Sequence, residues 1–150
     1  MITRYPILMK MQGKQLLFVG GGAVAERKIN SLLACDPVIT VLSPEITEKL
    51  QSLAQLGVIK WTTELPTETF DYVFIATNER EINKEVYEFY KGKALINIAD
   101  DPEACDFHLP ATIIHGDVVI SISTDGTDPS KSKRIREKLE EWISQGGLEQ

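Results

Sequence analysis

Several common chemistries lack their residues in this chain. There are only two cysteines, Cys35 and Cys105, and they have neither metal-site nor C-x-x-C spacing. Free thiols in a reducing cytoplasm are the reading that follows. There are only two histidines, His108 and His115. They are not four apart on a helix and have no cysteine or acidic cluster beside them, so they read as structural and no metal site is expected. No G-x-S-x-G occurs, which removes support for a serine triad. No apolar run approaches bilayer length, and Met1–Pro6 is not followed by the long apolar core of a signal peptide. Positive charge is also scarce. The net charge of −6 argues against general nucleic-acid binding. Internal repeats and low-complexity tracts are missing as well.

What remains is an ordinary globular composition, 43% hydrophobic and 25% charged over 150 residues. This suits one domain, or one domain with a small appendage. The stretch Leu16–Lys28, LLFVGGGAVAERK, organises the rest. An apolar strand runs into three glycines and then a helix-forming segment. The spacing Gly20-x-Gly22-x-x-Ala25 is the dinucleotide-binding fingerprint with alanine in the last place. Gly20 permits the sharp turn, and Gly22 removes the side chain that would hold a pyrophosphate off the backbone. Ala25 lets the helix lie close to the sheet. Gly20, Gly21, Gly22, Ala23, Val24 and Ala25 are therefore the candidate phosphate-binding residues, acting through helix N-terminal amides.

Along the chain, strands and helices alternate. Tyr5–Met9 reads as an extended segment at a sheet edge. Strands are expected at Gln15–Gly20, Val38–Leu42, Val58–Thr62, Asp71–Thr77 and Ala94–Ala99. Helices are expected from about Gly22 to Ala34, from a Ser43 cap to Gln55, and over Glu81–Lys91 with Ile82, Val86 and Phe89 on one side. This is a Rossmann-like α/β fold, a parallel sheet with helices on both faces and right-handed crossovers. After Asp100 the pattern changes. His108–Ile114 and Val118–Ser123 read as an antiparallel hairpin. Asp128-Pro129 then caps a helix striped by Ile135, Leu139, Trp142 and Ile143. Two domains follow: 1–106, binding a dinucleotide, and 107–150, hairpin plus helix. A lone hairpin is marginal, so it must pack on the first domain or on a second copy. Trp61 and Trp142 read as core or interface.

Ligands of such sheets bind beyond the carboxyl ends of the strands. The second strand ends at Ser43-Pro44, with Glu45 as the first acid. No arginine waits for a 2′-phosphate, so NAD is favoured over NADP, with Ser43, Pro44 and Glu45 at the ribose. Ser43 reads equally as a helix cap. Thr77 and Asn78 read either as cofactor contacts or as a cap for the next helix. Asp100 follows an apolar run; a carboxylate there is expected to be partly desolvated and suited to general-base work, or else to open a turn with Asp101. Residues 130–138, SKSKRIREK, carry five basic residues and one acidic. They read as a site for a specific anionic ligand, or as a solvated face with ion pairs to Glu137, Glu140 and Glu141.

Taken together, these residues resemble the precorrin-2 dehydrogenases, including the module at the N-terminus of siroheme synthases. The resemblance rests on Tyr5–Leu8, Val19–Lys28, Ala76–Asn78, Asn97–Asp100, Phe107–Ala111, Ser121–Pro129 and Arg136–Lys138. They run in family order over nearly the whole chain. The resemblance implies NAD-dependent oxidation of precorrin-2, an anionic tetrapyrrole with eight carboxylates, to sirohydrochlorin in siroheme biosynthesis. It places the catalytic aspartate at Asp100, to abstract a proton or to orient the substrate. It places substrate contacts at Thr124, Lys133 and Arg136, and it implies a homodimer built through the later segment. Thr124, Asp125 and Asp128 depart from the serine-rich turn common in the family, which leaves the role of Thr124 open. Longer members continue with a helical domain. This chain stops soon after its last helix, so closure over the substrate is incomplete or the sequence is part of a longer form. With no histidine at a recognisable chelatase position, dehydrogenase activity without chelation is expected, the product passing to a separate chelatase. The alternatives are a non-catalytic NAD-sensing dimer and a bifunctional dehydrogenase–ferrochelatase.

Overall fold

A computed structural model describes residues 2–149. The chain forms two compact units. The larger is Leu8–Phe107; the smaller takes the residues before Leu8 together with those from His108 onward. The N-terminal segment thus groups with the later segment and not with the dinucleotide-binding part. No strand includes Tyr5–Met9, and Tyr5, Ile7 and Leu8 are exposed. The segment expected to lie extended at a sheet edge thus joins neither sheet.

The larger unit runs β1 (Gln15–Val19), α1 (Ala23–Leu32), β2 (Val38–Leu42), α2 (Glu48–Gln55), β3 (Lys60–Thr62), β4 (Tyr72–Ile75), α3 (Arg80–Tyr90) and β5 (Leu95–Ile98). The five strands are parallel in the order β3-β2-β1-β4-β5. Period-2 alternation explains its layers. Leu16 and Phe18 of β1 join Ile39, Val41, Tyr72 and Phe74 against Ala25, Ile29 and Leu32 of α1 and Leu50 of α2. Leu17 and Val19 face the other way, with Val73, Ile75, Ile96 and Ile98, against Val86, Tyr87 and Tyr90 of α3. Helices thus cover both faces, as the apolar strands require.

Two helices differ from expectation. α2 starts at Glu48, because Thr47 and not Ser43 supplies the cap: its hydroxyl accepts from Leu50 N at 3.3 Å. The face of α3 is rotated. Ile82 and Phe89 are exposed, while Asn83 and Tyr90 are buried. Trp61 and Trp142, at 44% and 48% exposure, are not core. Trp61 Nε1 donates to Ser43 O at 2.9 Å, and the Trp142 ring lies where a side chain on Gly147 would stand.

The smaller unit holds the hairpin β6 (Ala111–His115) and β7 (Val118–Ile122), paired antiparallel, and α4 (Pro129–Ser144). Asp128 caps α4, its carboxylate accepting from Lys131 N at 2.9 Å, with Pro129 in the first turn. Thr3 and Arg4 clasp the turn before it. Thr3 N and Oγ1 each donate to Asp125 Oδ2 at 2.8 Å, and Arg4 reaches Asp125 O at 2.8 Å.

Candidate dinucleotide site

Because all five strands of the larger unit are parallel, their carboxyl ends share one edge. The chain order reverses between β1 and β4, which are neighbours at the centre. The glycine turn leaves β1 at this point. Gly20 has φ +108°, a region that L side chains rarely adopt, and a Cβ there would stand 2.4 Å from Ala76 O. Gly21 is equally confined: a Cβ would meet Ile46 Cγ2 at 2.4 Å. Gly20 N donates to Leu42 O at 2.9 Å and Thr47 N donates to Gly21 O at 3.0 Å, so the turn is fixed to the end of β2.

Gly22 differs from both. A Cβ there would meet nothing within 4 Å. Gly22 is the N-cap of α1 and has no side chain to cap with; the amide that bonds back to Gly22 O is that of Glu26, at 3.0 Å. The amides of Ala23, Val24 and Ala25 lie in the first turn, where helix geometry leaves donors without intrahelical partners. Open space beside such donors, at the positive end of the helix dipole, fits a pyrophosphate. By this geometry the residues present suit a dinucleotide.

Ser43, at the end of β2, is buried, and its Oγ donates to Glu45 O at 2.6 Å. Pro44 and Glu45 are exposed. Thr77 follows β4. Its Oγ1 accepts from Glu79 N at 3.1 Å, so the hydroxyl braces the loop before α3 without capping the helix itself. Asn78 is exposed beside it. Asp100 follows β5 and is exposed, not partly desolvated as the apolar run before it suggested. Ile96 and Ile98 of the run turn into the core beneath α3, Leu95 is exposed, and the chain leaves the sheet at Ala99.

Asn83 joins these strand ends, and the sequence reading missed it. It is 1% exposed in the first turn of α3. Its Nδ2 donates to Thr77 O at 3.1 Å and to Asp100 Oδ2 at 3.0 Å, while its Oδ1 accepts from Thr77 Oγ1. The signal available was an amide at positions i−3, i−4 and i−7 from Val86, Tyr87 and Tyr90, the buried stripe of α3. A second tie, also unforeseen, lies under the sheet edge. Lys28 Nζ of α1 donates to Asn97 Oδ1 of β5 at 2.6 Å. Burial pushes the Lys28 ammonium below its ordinary pKa; the charge of Cys105 opposes this and Arg27 adds to it.

In the smaller unit, Thr124 Oγ1 donates to Asp128 O at 2.9 Å and accepts from Asp128 N at 3.1 Å, closing the turn before α4. Lys133 and Arg136 lie on α4 within reach of Glu137 and Glu140, at 3.9 and 3.7 Å. Among the described residues there is no group of three or more potential metal ligands and no helix long and apolar enough to cross a membrane.

Comparison with known proteins agrees with this geometry. Residues 7–111 match a family model described as "Putative NAD(P)-binding". The chain belongs to this NAD(P)-binding family. A siroheme synthase of Photorhabdus laumondii is 37% identical over 140 residues, covering 90% of this chain and 30% of the relative. Siroheme synthase 3 of Aeromonas hydrophila is 35% identical over 145 residues, covering 93% and 31%. This NAD(P)-binding chain therefore spans under a third of the length of the curated relatives it matches. Among solved structures, SirC, precorrin-2 dehydrogenase, superposes with a TM-score of 0.78 at 28% identity. The match covers 91% of this chain and 69% of that one.

Proposed function

We propose that this chain is an NAD-dependent dehydrogenase that oxidises precorrin-2 to sirohydrochlorin. One observation carries the reading. The open glycine turn and Asp100 occupy the same sheet edge, in a chain similar over 91% of its length to a solved precorrin-2 dehydrogenase. Names of the longer relatives point to siroheme synthesis.

Bound NAD supplies the hydride acceptor. The oxidation removes two hydrogens from the reduced tetrapyrrole, one as hydride and one as a proton, giving sirohydrochlorin, NADH and a proton. The amides of Ala23–Ala25 hold the pyrophosphate, and Gly22 lets it approach. Ser43, Pro44 and Glu45 serve the ribose beyond β2, and Thr77 and Asn78 serve the cofactor beyond β4. Asp100 takes the proton, with Oδ2 held by Asn83 and Oδ1 left to accept. On α4, Lys133 and Arg136 pair with substrate carboxylates, and Thr124 serves by closing the turn that presents them. The hairpin exposes Ile114, Val118 and Val119, which supports a homodimer through the smaller unit. A cytoplasmic enzyme that hands its product to a separate chelatase completes the reading.

An anaerobic assay with precorrin-2 and NAD, following NADH and sirohydrochlorin, tests it. Turnover is expected from wild type, and Asp100→Asn should lose about 10²–10⁴-fold in kcat. No turnover by wild type overturns the function; full activity of Asp100→Asn overturns only the proton acceptor. Adding ferrous ion separates the bifunctional alternative, and sedimentation gives the oligomeric state.

A further inference from the structure

We infer that Asn83 is a positioning residue that holds Asp100 and couples it to the end of β4. The inference rests on Asp100 being the carboxylate that serves the dehydrogenation. All the polar capacity that Asn83 uses goes to two residues on the candidate edge: both Nδ2 donors, to Thr77 O and Asp100 Oδ2, and the Oδ1 acceptor, from Thr77 Oγ1. The amide has one workable orientation. Flipped, its oxygen would face the Thr77 carbonyl and the Asp100 carboxylate, two acceptors with no proton between them. A buried amide fixed in this way is a rigid strut.

Two consequences follow for Asp100. Its Oδ2 is engaged, so Oδ1 is the oxygen free to meet a substrate proton. Donation by Nδ2 also fixes the direction in which the carboxyl group presents Oδ1. Thr77, one of the proposed cofactor contacts, sits at the other end of the strut. The distance between the cofactor side of β4 and the carboxylate beyond β5 is therefore set by one buried side chain, not by two exposed loops.

A merely structural Asn83 would fill the space under the β4–α3 loop and act independently of Asp100. Two variants separate the readings: Asn83→Leu, close in size and apolar, and Asn83→Ser, short of Asp100 but able to hydrogen-bond nearby should the leucine variant fail to fold. Both are combined with Asp100→Asn. The expected result is at least a tenfold fall in kcat with KM for precorrin-2 changed less than about threefold. In the Asp100→Asn background the same substitution should cost almost nothing further. A kcat within twofold of wild type, or an equal loss in both backgrounds, overturns the inference. If wild type proves inactive, the proposed function fails, and the contact is still decided by NMR. The Asn83 side-chain amide protons should shift in Asp100→Asn, because Nδ2 donates to Asp100 Oδ2; unmoved amide signals overturn the inference.

Discussion

At the scale of single residues, the glycines of one turn do different work. Gly20 is held by backbone geometry and by Ala76 O, so Gly20→Ala should destabilise the fold by about 1–3 kcal/mol or more, read from denaturant unfolding. Gly22 meets nothing, so Gly22→Ala should change stability by no more than about 1 kcal/mol. It should nevertheless weaken NAD binding about tenfold, a loss near 1.4 kcal/mol, measured by calorimetry. A pair of variants that lost stability equally would contradict the assignment of Gly22 to the ligand. From spacing, both glycines were legible as a motif. Their division of labour was not, because it depends on Ala76 and Ile46, which are distant in sequence and arrive only with the packed sheet.

At the scale of elements, local chemistry was legible where it competes with nothing. The Asp128-Pro129 start of α4 was readable because cap and first-turn proline are contiguous. The start of α2 was misplaced because Ser43-Pro44-Glu45 and Thr47-Glu48 both carry cap signals. Ser43 is drawn into the sheet edge, where its hydroxyl turns to Glu45 O, and Thr47 becomes the cap. Thr47→Ala should therefore cost about 1 kcal/mol, whereas Ser43→Ala should leave α2 intact; amide exchange across Glu48–Gln55 distinguishes them. The face of α3 was misread for a related reason. Ile82 and Phe89 outrank Asn83 in hydrophobicity, but Asn83 makes three hydrogen bonds where it is buried, and an amide satisfied in this way is tolerated in a core.

At the scale of the whole molecule, charge gives two predictions. Asp125 is held at a pKa of about 2, first by the backbone amide of Thr3, then by the Thr3 hydroxyl and by Arg4. A depressed carboxylate stabilises the folded state above its unfolded value, 3.8, and loses that contribution as pH falls toward about 2. Asp125 has φ +55°, which asparagine also tolerates, so Asp125→Asn isolates the charge. The gap in thermal midpoint between wild type and Asp125→Asn should be constant near neutrality and narrow across that acid window. The second prediction concerns α4. With Lys133 exposed, Arg136 half-buried and both already near Glu137 and Glu140, attraction for substrate carboxylates is screened by salt. Raising ionic strength from roughly 0.05 to 0.5 M should raise KM for precorrin-2 several-fold, as the screening length falls below about 10 Å. Lys133→Gln with Arg136→Gln should remove most of that dependence.

The sequence alone determined the class of the fold and the place of the phosphate turn. Period-2 and period-3.6 patterns and a contiguous glycine run are properties of neighbouring residues, and burial of apolar faces forces their consequence. Tertiary structure decided what the turn is measured against. Packing put Thr47 in place of Ser43 as the cap of α2 and joined Lys28 of α1 to Asn97 of β5. It also brought Asn83, six residues past Thr77 and seventeen before Asp100, between those two strand ends. No local pattern encodes that juxtaposition, because it exists only once β4 and β5 lie side by side with α3 across them.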